Sequence, residues 1–175
     1  MPSRLFATQL AAKVEGTEGT KETLAAADAV LVSNLKFSPD IEMYQRDTIR
    51  GTLSRDPSVS GKQKATISFD VEMKGSGAAG TPPDYGKLLK GSGYSETISP
   101  GVSVTYKPAT TGIGNSFSLS AYMDGVITKI WGARGNVKGS MNAGKPGILS
   151  FEFQGADFEV VDGALLAPTY TTIIP

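Results

Sequence analysis

The sequence of 175 residues contains no histidine and no cysteine. The first absence removes the side chain that titrates near neutral pH, and with it the nucleophile pairs that depend on imidazole. The second removes thiol chemistry, and the two together remove the common zinc ligands. Aromatic residues make up only 8%, with a single tryptophan, which leaves little material for a sugar-stacking platform. Neither sign of charge dominates: 17 Lys and Arg face 17 Asp and Glu, and a division after Lys90 gives 12 against 11 and then 5 against 6. Neither half is a basic arm or an acidic tail. The longest apolar stretch, Leu24 to Val32, is interrupted by Asp28 and falls far short of the roughly 20 residues that cross a bilayer, so no membrane segment is expected. The opening Met1-Pro-Ser-Arg-Leu-Phe carries no apolar signal region, which implies synthesis and folding in the cytoplasm.

What is present points to a β protein. Glycine occurs 21 times and proline 10 times, while hydrophobic residues still make up 39%, enough for one packed domain spanning 1–175. From Lys64 to Lys74, Ala65, Ile67, Phe69, Val71 and Met73 alternate with polar residues, the pattern of a half-buried antiparallel strand. Phe117, Leu119 and Ala121 alternate with Ser116, Ser118, Ser120 and Tyr122 up to Asp124-Gly125, a dipeptide suited to a type I′ turn, so Val126 to Trp131 should return as a hairpin partner. A third alternation, Leu149, Phe151 and Phe153, follows the turn residues Ala143 to Gly147 and should pair with Ala133 to Met141.

Weaker strand patterns cover Leu35 to Gln45, Val102 to Lys107 and Ala156 to Val161. Residues 46–61 read as a long polar loop with Gly51, Pro57 and Gly61, about the length at which a connection has a task of its own. Thr81 as cap and Pro82 at the first helical position predict a short helix through Leu88 and Leu89, stopped by Gly91. A second helical turn fits Leu24 to Ala29. The two ends, about 1–14 and 163–175, read as arms. No internal repeat is present, and the sequence predicts an all-β fold with one or two short helices, a β-sandwich of two packed antiparallel sheets.

Two motifs suggest enzyme chemistry. Gly75-Ser-Gly77-Ala-Ala-Gly80 is a literal G-x-G-x-x-G, but the preceding strand alternates as a sheet with one wet face does, and Pro82-Pro83 keeps Gly80 out of any continuing helix. It reads as a loop rather than a dinucleotide site. Asp70 and Glu72 share one face of their strand at a spacing carboxylate pairs can use, yet nothing gathers further groups around them, and they read as part of a solvated face. Arg50, Arg55 and Asp56 in the long loop are too few and too balanced for nucleic acid, but suit contacts to another protein copy. Trp131 reads as a core or interface anchor. No catalytic residue, cofactor site or metal site is expected.

The ordered set of segments Lys13-Val-Glu-Gly-Thr-Glu-Gly-Thr20, Ala26 to Asn34, Phe69-Asp-Val-Glu-Met73 with Gly75-Ser-Gly77, Pro83 to Tyr94, Met123-Asp-Gly125, Gly132-Ala-Arg-Gly-Asn136 and Phe151-Glu-Phe-Gln-Gly155 resembles the major tail tube proteins of long-tailed bacteriophages. The resemblance implies a sandwich with a flanking helix, hexameric rings that stack into a hollow tube, and one sheet per subunit joined to its neighbours in a continuous β-barrel around the lumen. It implies a virion protein of a long, non-contractile tail through which double-stranded DNA passes without specific binding. Its partners would be further copies of itself and the tape-measure, tail terminator and baseplate proteins. A neutral or acidic wall would let DNA slide, and Asp70, Glu72 and Glu152 are the candidate lumen-facing residues. Arg50, Arg55 and Asp56 are the candidate contact between rings. The alternatives are another virion component of related fold, such as a baseplate or head-to-tail joining protein, a carbohydrate-binding β-sandwich module, or an enzyme built on acidic residues.

Overall fold

The alternation at Lys64 to Lys74 becomes strand β4 (Val59–Glu72), in which Ala65, Ile67, Phe69 and Val71 are buried. The computed structural model describes residues 8–49, 51, 56–110, 115–170 and 173. β4 lies between β3 (Ser33–Tyr44) and β9 (Ile148–Gly155), both antiparallel to it, and β9 pairs in turn with the C-terminal half of β8 (Val126–Ser140). These four segments form one sheet. The N-terminal half of β8 belongs to a second, packing between β7 (Phe117–Met123) and β10 (Asp157–Asp162), with β1 (Thr8–Val14) and the two-residue β2 (Ala29–Val30) beyond β7. One long strand therefore passes through both sheets. It turns at Gly132, whose φ of 60° only glycine adopts freely.

The sheets enclose a core of Phe69, Phe117, Phe151 and Phe153 with Leu10, Ile67, Leu119 and Ile130, closed at one side by Leu88 of helix α1 (Gly86–Gly91). Phe153 is fully buried and lies within about one ring contact of Phe69, Phe117 and Phe151, at centroid distances of 6.1, 6.0 and 6.1 Å. Asp124 and Gly125, with φ of 43° and 94°, make the tight turn between β7 and β8 that their dipeptide predicts. A separate hairpin, β5 (Tyr94–Ser99) and β6 (Ser103–Pro108), is tied to α1 through Glu96, which accepts from Tyr106 Oη at 2.6 Å and pairs with Lys90.

Several expectations are corrected. Of the expected arm over 1–14, residues 1–7 lie outside the described residues, and Thr8–Val14 is strand β1, which pairs along its whole length with β7 and has Leu10, Ala11 and Ala12 fully buried. The helix starts at Gly86 rather than Pro82, because Pro82 itself precedes a proline and is thereby held out of the helical region. The helical turn near residue 24 is a single 3-10 turn, Ala26–Asp28. The long loop ends earlier than expected, since Val59 and Ser60 already pair with Tyr44 and Met43. Residues 163–170 carry no regular structure and lie along the outer face of the second sheet. There Gln9 Nε2 donates to the Leu166 carbonyl at 3.1 Å, and Leu166 covers Ala11, Tyr122 and Ile127.

Candidate functional site

Strand alternation decides what the first sheet shows to solvent. With Ile67, Phe69, Phe151 and Phe153 turned into the core, the opposite face carries Ser68, Asp70 and Glu72 from β4 and Ser150 and Glu152 from β9. The three candidate acids therefore do share one face of one sheet. Register places Ser68 opposite Glu152 and Asp70 opposite Ser150. A shallow cavity of about 460 Å³ lies over this face, lined by Asn34, Lys36, Asp70, Asn136, Lys138 and Glu152 among others.

Asp70 is held in place rather than left as a bare charge. Asn34 Nδ2 donates to it at 2.7 Å and Ser150 Oγ at 2.6 Å. The Asn34 bond, then the Ser150 bond, hold its carboxyl below the ordinary aspartate range, with Lys36 adding a smaller pull in the same direction. A folded-state value below the unfolded one means that this cluster stabilises the fold above the unfolded aspartate range near pH 4, and that the contribution is lost as pH falls through the lowered value. Asp70→Asn is expected to flatten the acid side of the stability-versus-pH curve while leaving the neutral side nearly level. Thermal unfolding measured at a series of pH values below about 5 checks this.

Sequence reasoning did not foresee the basic partners on this face. Lys36, Lys64, Arg134 and Lys138 occupy the same side of β3, β4 and β8 as the acids do, by the register that pairs Lys36 with Ser68, Asp40 with Lys64, Arg134 with Gln154 and Lys138 with Ser150. Lys64 pairs with Asp40 at 3.1 Å, and Arg134 with Glu18 at 2.8 Å. The face is thus mixed in sign rather than acidic. The balanced totals of the whole chain were the available signal. Among the described residues no aromatic ladder runs across it, and Trp131 stands elsewhere, half-buried with Lys21 Nζ 5.5 Å above its ring.

The long loop joins β3 to β4 over residues 45–58. Of its candidate contact residues, Arg50 and Arg55 lie outside the described residues. Asp56 accepts a hydrogen bond from Thr48 Oγ1 across the foot of the loop. The β3–β4 hairpin runs on past the end of β9, whose last pair is Gly155 with Ala65, and carries Ile41, Met43, Tyr44 and Val59 exposed beyond the sandwich.

The glycine loop is structural. Gly77 and Gly80 adopt φ of 80° and 71°, and a Cβ on Gly80 would stand 2.4 Å from the Gly101 nitrogen, so this loop seats the tip of the β5–β6 hairpin. No helix begins at Gly80, and no phosphate site results. Among the described residues no group of three acidic side chains gathers as a metal would require.

A family model for the phage tail tube protein matches residues 6–175. The chain belongs to the phage tail tube protein family. Such proteins are structural components, and this tail tube protein is a structural protein rather than an enzyme. Among solved structures, it is similar to a chain of the anti-feeding prophage cap, a tube-terminating cap, with 9% identity, 93% of each chain covered and a TM-score of 0.48. It is also similar to a chain of the sheath–tube complex of an extracellular contractile injection system in the extended state, at 7% identity, 93% of each chain and a TM-score of 0.48. A third similar chain comes from the anti-feeding prophage baseplate, at 8% identity, 93% and 97% coverage and a TM-score of 0.43. No curated protein matches the sequence.

Proposed function

We propose that this tail tube protein is the major tube subunit, forming stacked hexameric rings whose first sheets join into one barrel around a channel for double-stranded DNA. The observation that carries this reading is the four-stranded sheet β3-β4-β9-β8. Its two outer strands, β3 and residues 134–140 of β8, have no further strand beside them among the described residues. Free edges are hazards in a lone molecule, and closure of a ring removes them. The strands alternate in direction across the sheet, so a copy rotated about a common axis brings its β8 edge antiparallel to β3 of its neighbour. The polar face with Asp70, Glu72 and Glu152 then lines the channel, and its mixed charge holds no strong grip on phosphates.

In this reading the chain is a virion tail component, made in the host cytoplasm, and meets tape-measure, terminator and baseplate proteins at the ends of the tube. The resemblance of its segments to long-tailed phage proteins supports a long, non-contractile tail. The 45–58 loop and its apolar hairpin reach the next ring, with Arg50, Arg55 and Asp56 as contact residues. Replacing Arg50 and Arg55 together by alanine is expected to leave circular dichroism and melting unchanged while tubes shorten or vanish; normal tube lengths would refute the role given to the loop.

Light scattering and negative-stain microscopy of the purified protein over a concentration series test the proposal. It expects rings or tubes of uniform diameter with a central channel. A monomer at every concentration, also after addition of preformed tail fragments as seeds, would count against it.

A further inference from the structure

The two free edges are not symmetrical, and their residues fix how they meet. Pro39 has no N–H, so its pairing with Ala65 requires that Ser38 and Asp40 make the ladder bonds to β4 and that the groups of Phe37, Pro39 and Ile41 face the free edge. Carried across the uninterrupted registers of β4 with β9 and β9 with β8, the same alternation turns the backbone groups of Gly135, Val137 and Gly139 to the other free edge.

Resting on the ring reading above, we infer that β3 of one copy pairs with β8 of the next so that Ser38 stands opposite Ser140, Pro39 opposite Gly139, Asp40 opposite Lys138 and Ile41 opposite Val137. Four observations support this register. Lys138 is exposed and has no ion pair among the described residues, and Asp40, exposed on the same face, is paired with Lys64 through Oδ2 only. Ile41 and Met141 are exposed apolar residues at 45% and 70%; the register seats Ile41 on Val137 and Met141 on Phe37, so both leave water. A Cβ on Gly139 would meet only Leu149 Cδ2 of its own chain, at an ordinary 3.7 Å, and its φ is not positive. The fold of one copy does not demand glycine there; opposite Pro39, which brings no N–H and leaves that pair one ladder bond, from the Gly139 N–H to the Pro39 carbonyl, a residue without a side chain lets the strands adjust to the ring.

The fourth observation is geometrical. Within one copy Lys36, Ser68, Glu152 and Asn136 stand in one row, and the inferred register brings residue 142 of the next copy to Lys36. The stagger is thus six residues per four strands, which gives a strand tilt of about 45°, at the upper end of the usual barrel range. Shifting by two residues gives about 35° but sets Pro39 against the β-branched Val137; shifting by four gives about 20° and sets Lys36 against Lys138.

Cysteine pairs test the register, since the chain has no cysteine of its own. Opposed residues outside the ladder bonds approach to about 4.5 Å between Cα atoms, within disulfide reach, whereas residues 38 and 140 of one copy are separated by three strand spacings, about 14 Å, and by six residues along the strand, about 20 Å. Assembled tubes of Ser38→Cys/Ser140→Cys, oxidised and run without reductant, are expected to give a covalent ladder up to the full ring. Ser38→Cys/Lys138→Cys and Ser38→Cys/Asn136→Cys should stay monomeric. A ladder from either of those, or from none of the three while wild-type tubes form, overturns the register and leaves the ring reading standing. Wild-type protein that never forms rings overturns both. A charge exchange is the second arm: Asp40→Lys and Lys138→Asp should each lower tube yield about tenfold, and the double variant should regain most of that yield, short of wild type by the clash of residue 40 with Lys64. No restoration contradicts the inferred pair.

Discussion

Replacing Glu15 by alanine is expected to lower stability by about 3–5 kcal/mol, a fall of roughly 10 °C in melting temperature for a domain of this size. The Glu15 side chain is buried, at 5% exposure, and accepts four hydrogen bonds. Ser116 Oγ donates at 2.6 Å, Ser118 Oγ at 2.9 Å, the Gly132 N–H at 2.7 Å and the Gly19 N–H at 2.8 Å. Truncation orphans four donors at once, two of them the hydroxyls of buried Ser116 and Ser118, and the cost follows from their desolvation. Glutamine is expected to rescue little, because its NH₂ would face donors. The carboxylate joins the end of β1, the start of β7, the loop after β1 and the turn of β8 at Gly132, where that strand passes from one sheet to the other. Glu15→Ala should therefore also loosen the angle between the sheets, and amide exchange at Gly132 and Ser118 should quicken with the drop in melting temperature. A shift below about 2 °C would show that the cluster carries no such load.

Val137→Pro is expected to leave the single copy folded and to abolish tubes. The Val137 N–H faces the free edge of the first sheet, so proline removes no ladder bond within the copy; its side chain is only half-buried. The expected loss in melting temperature is a few degrees, from the altered φ and the smaller apolar contact. In a ring the same substitution recurs at every junction, places a second proline beside Pro39 of the neighbour and takes away the donor between copies. Scattering should then report a monomer at concentrations where wild-type protein assembles. Proline at Val71 serves as the contrast: its backbone lies inside the sheet, opposite Leu149, and that variant should fail to fold. Tubes of normal yield from Val137→Pro would mean that this edge is not a junction.

How much of this could be read from the sequence depends on how many faces of each strand meet water. β4 and β9 have one wet face, and their alternation shows both the strands and the acids at 70, 72 and 152. β1 has none: Leu10 and Ala12 enter the main core while Ala11 joins the cluster under Leu166, so no period of two marks it and the segment reads as an arm. In β7 the polar positions alternate correctly, but Ser116 and Ser118 are buried because they serve Glu15. Little local to Glu15 announces that role, since three of its four partners lie about a hundred residues away and only the Gly19 N–H is near in sequence. The basic residues of the polar face were visible singly; that Lys138 and Lys36 flank the same acids follows only from register. Free edges are invisible in sequence for a simpler reason, being a property of which strands are missing beside them.

The most direct test of the account is a reconstruction of the assembled tube from electron micrographs, read at the inner wall. The account predicts four strands per subunit around the channel, in the order β3, β4, β9 and β8, with Asp70, Glu72 and Glu152 facing the lumen among Lys36 and Lys138. A tube whose inner wall is the β1–β7–β8–β10 sheet, with those three acids on its outer surface, would contradict it.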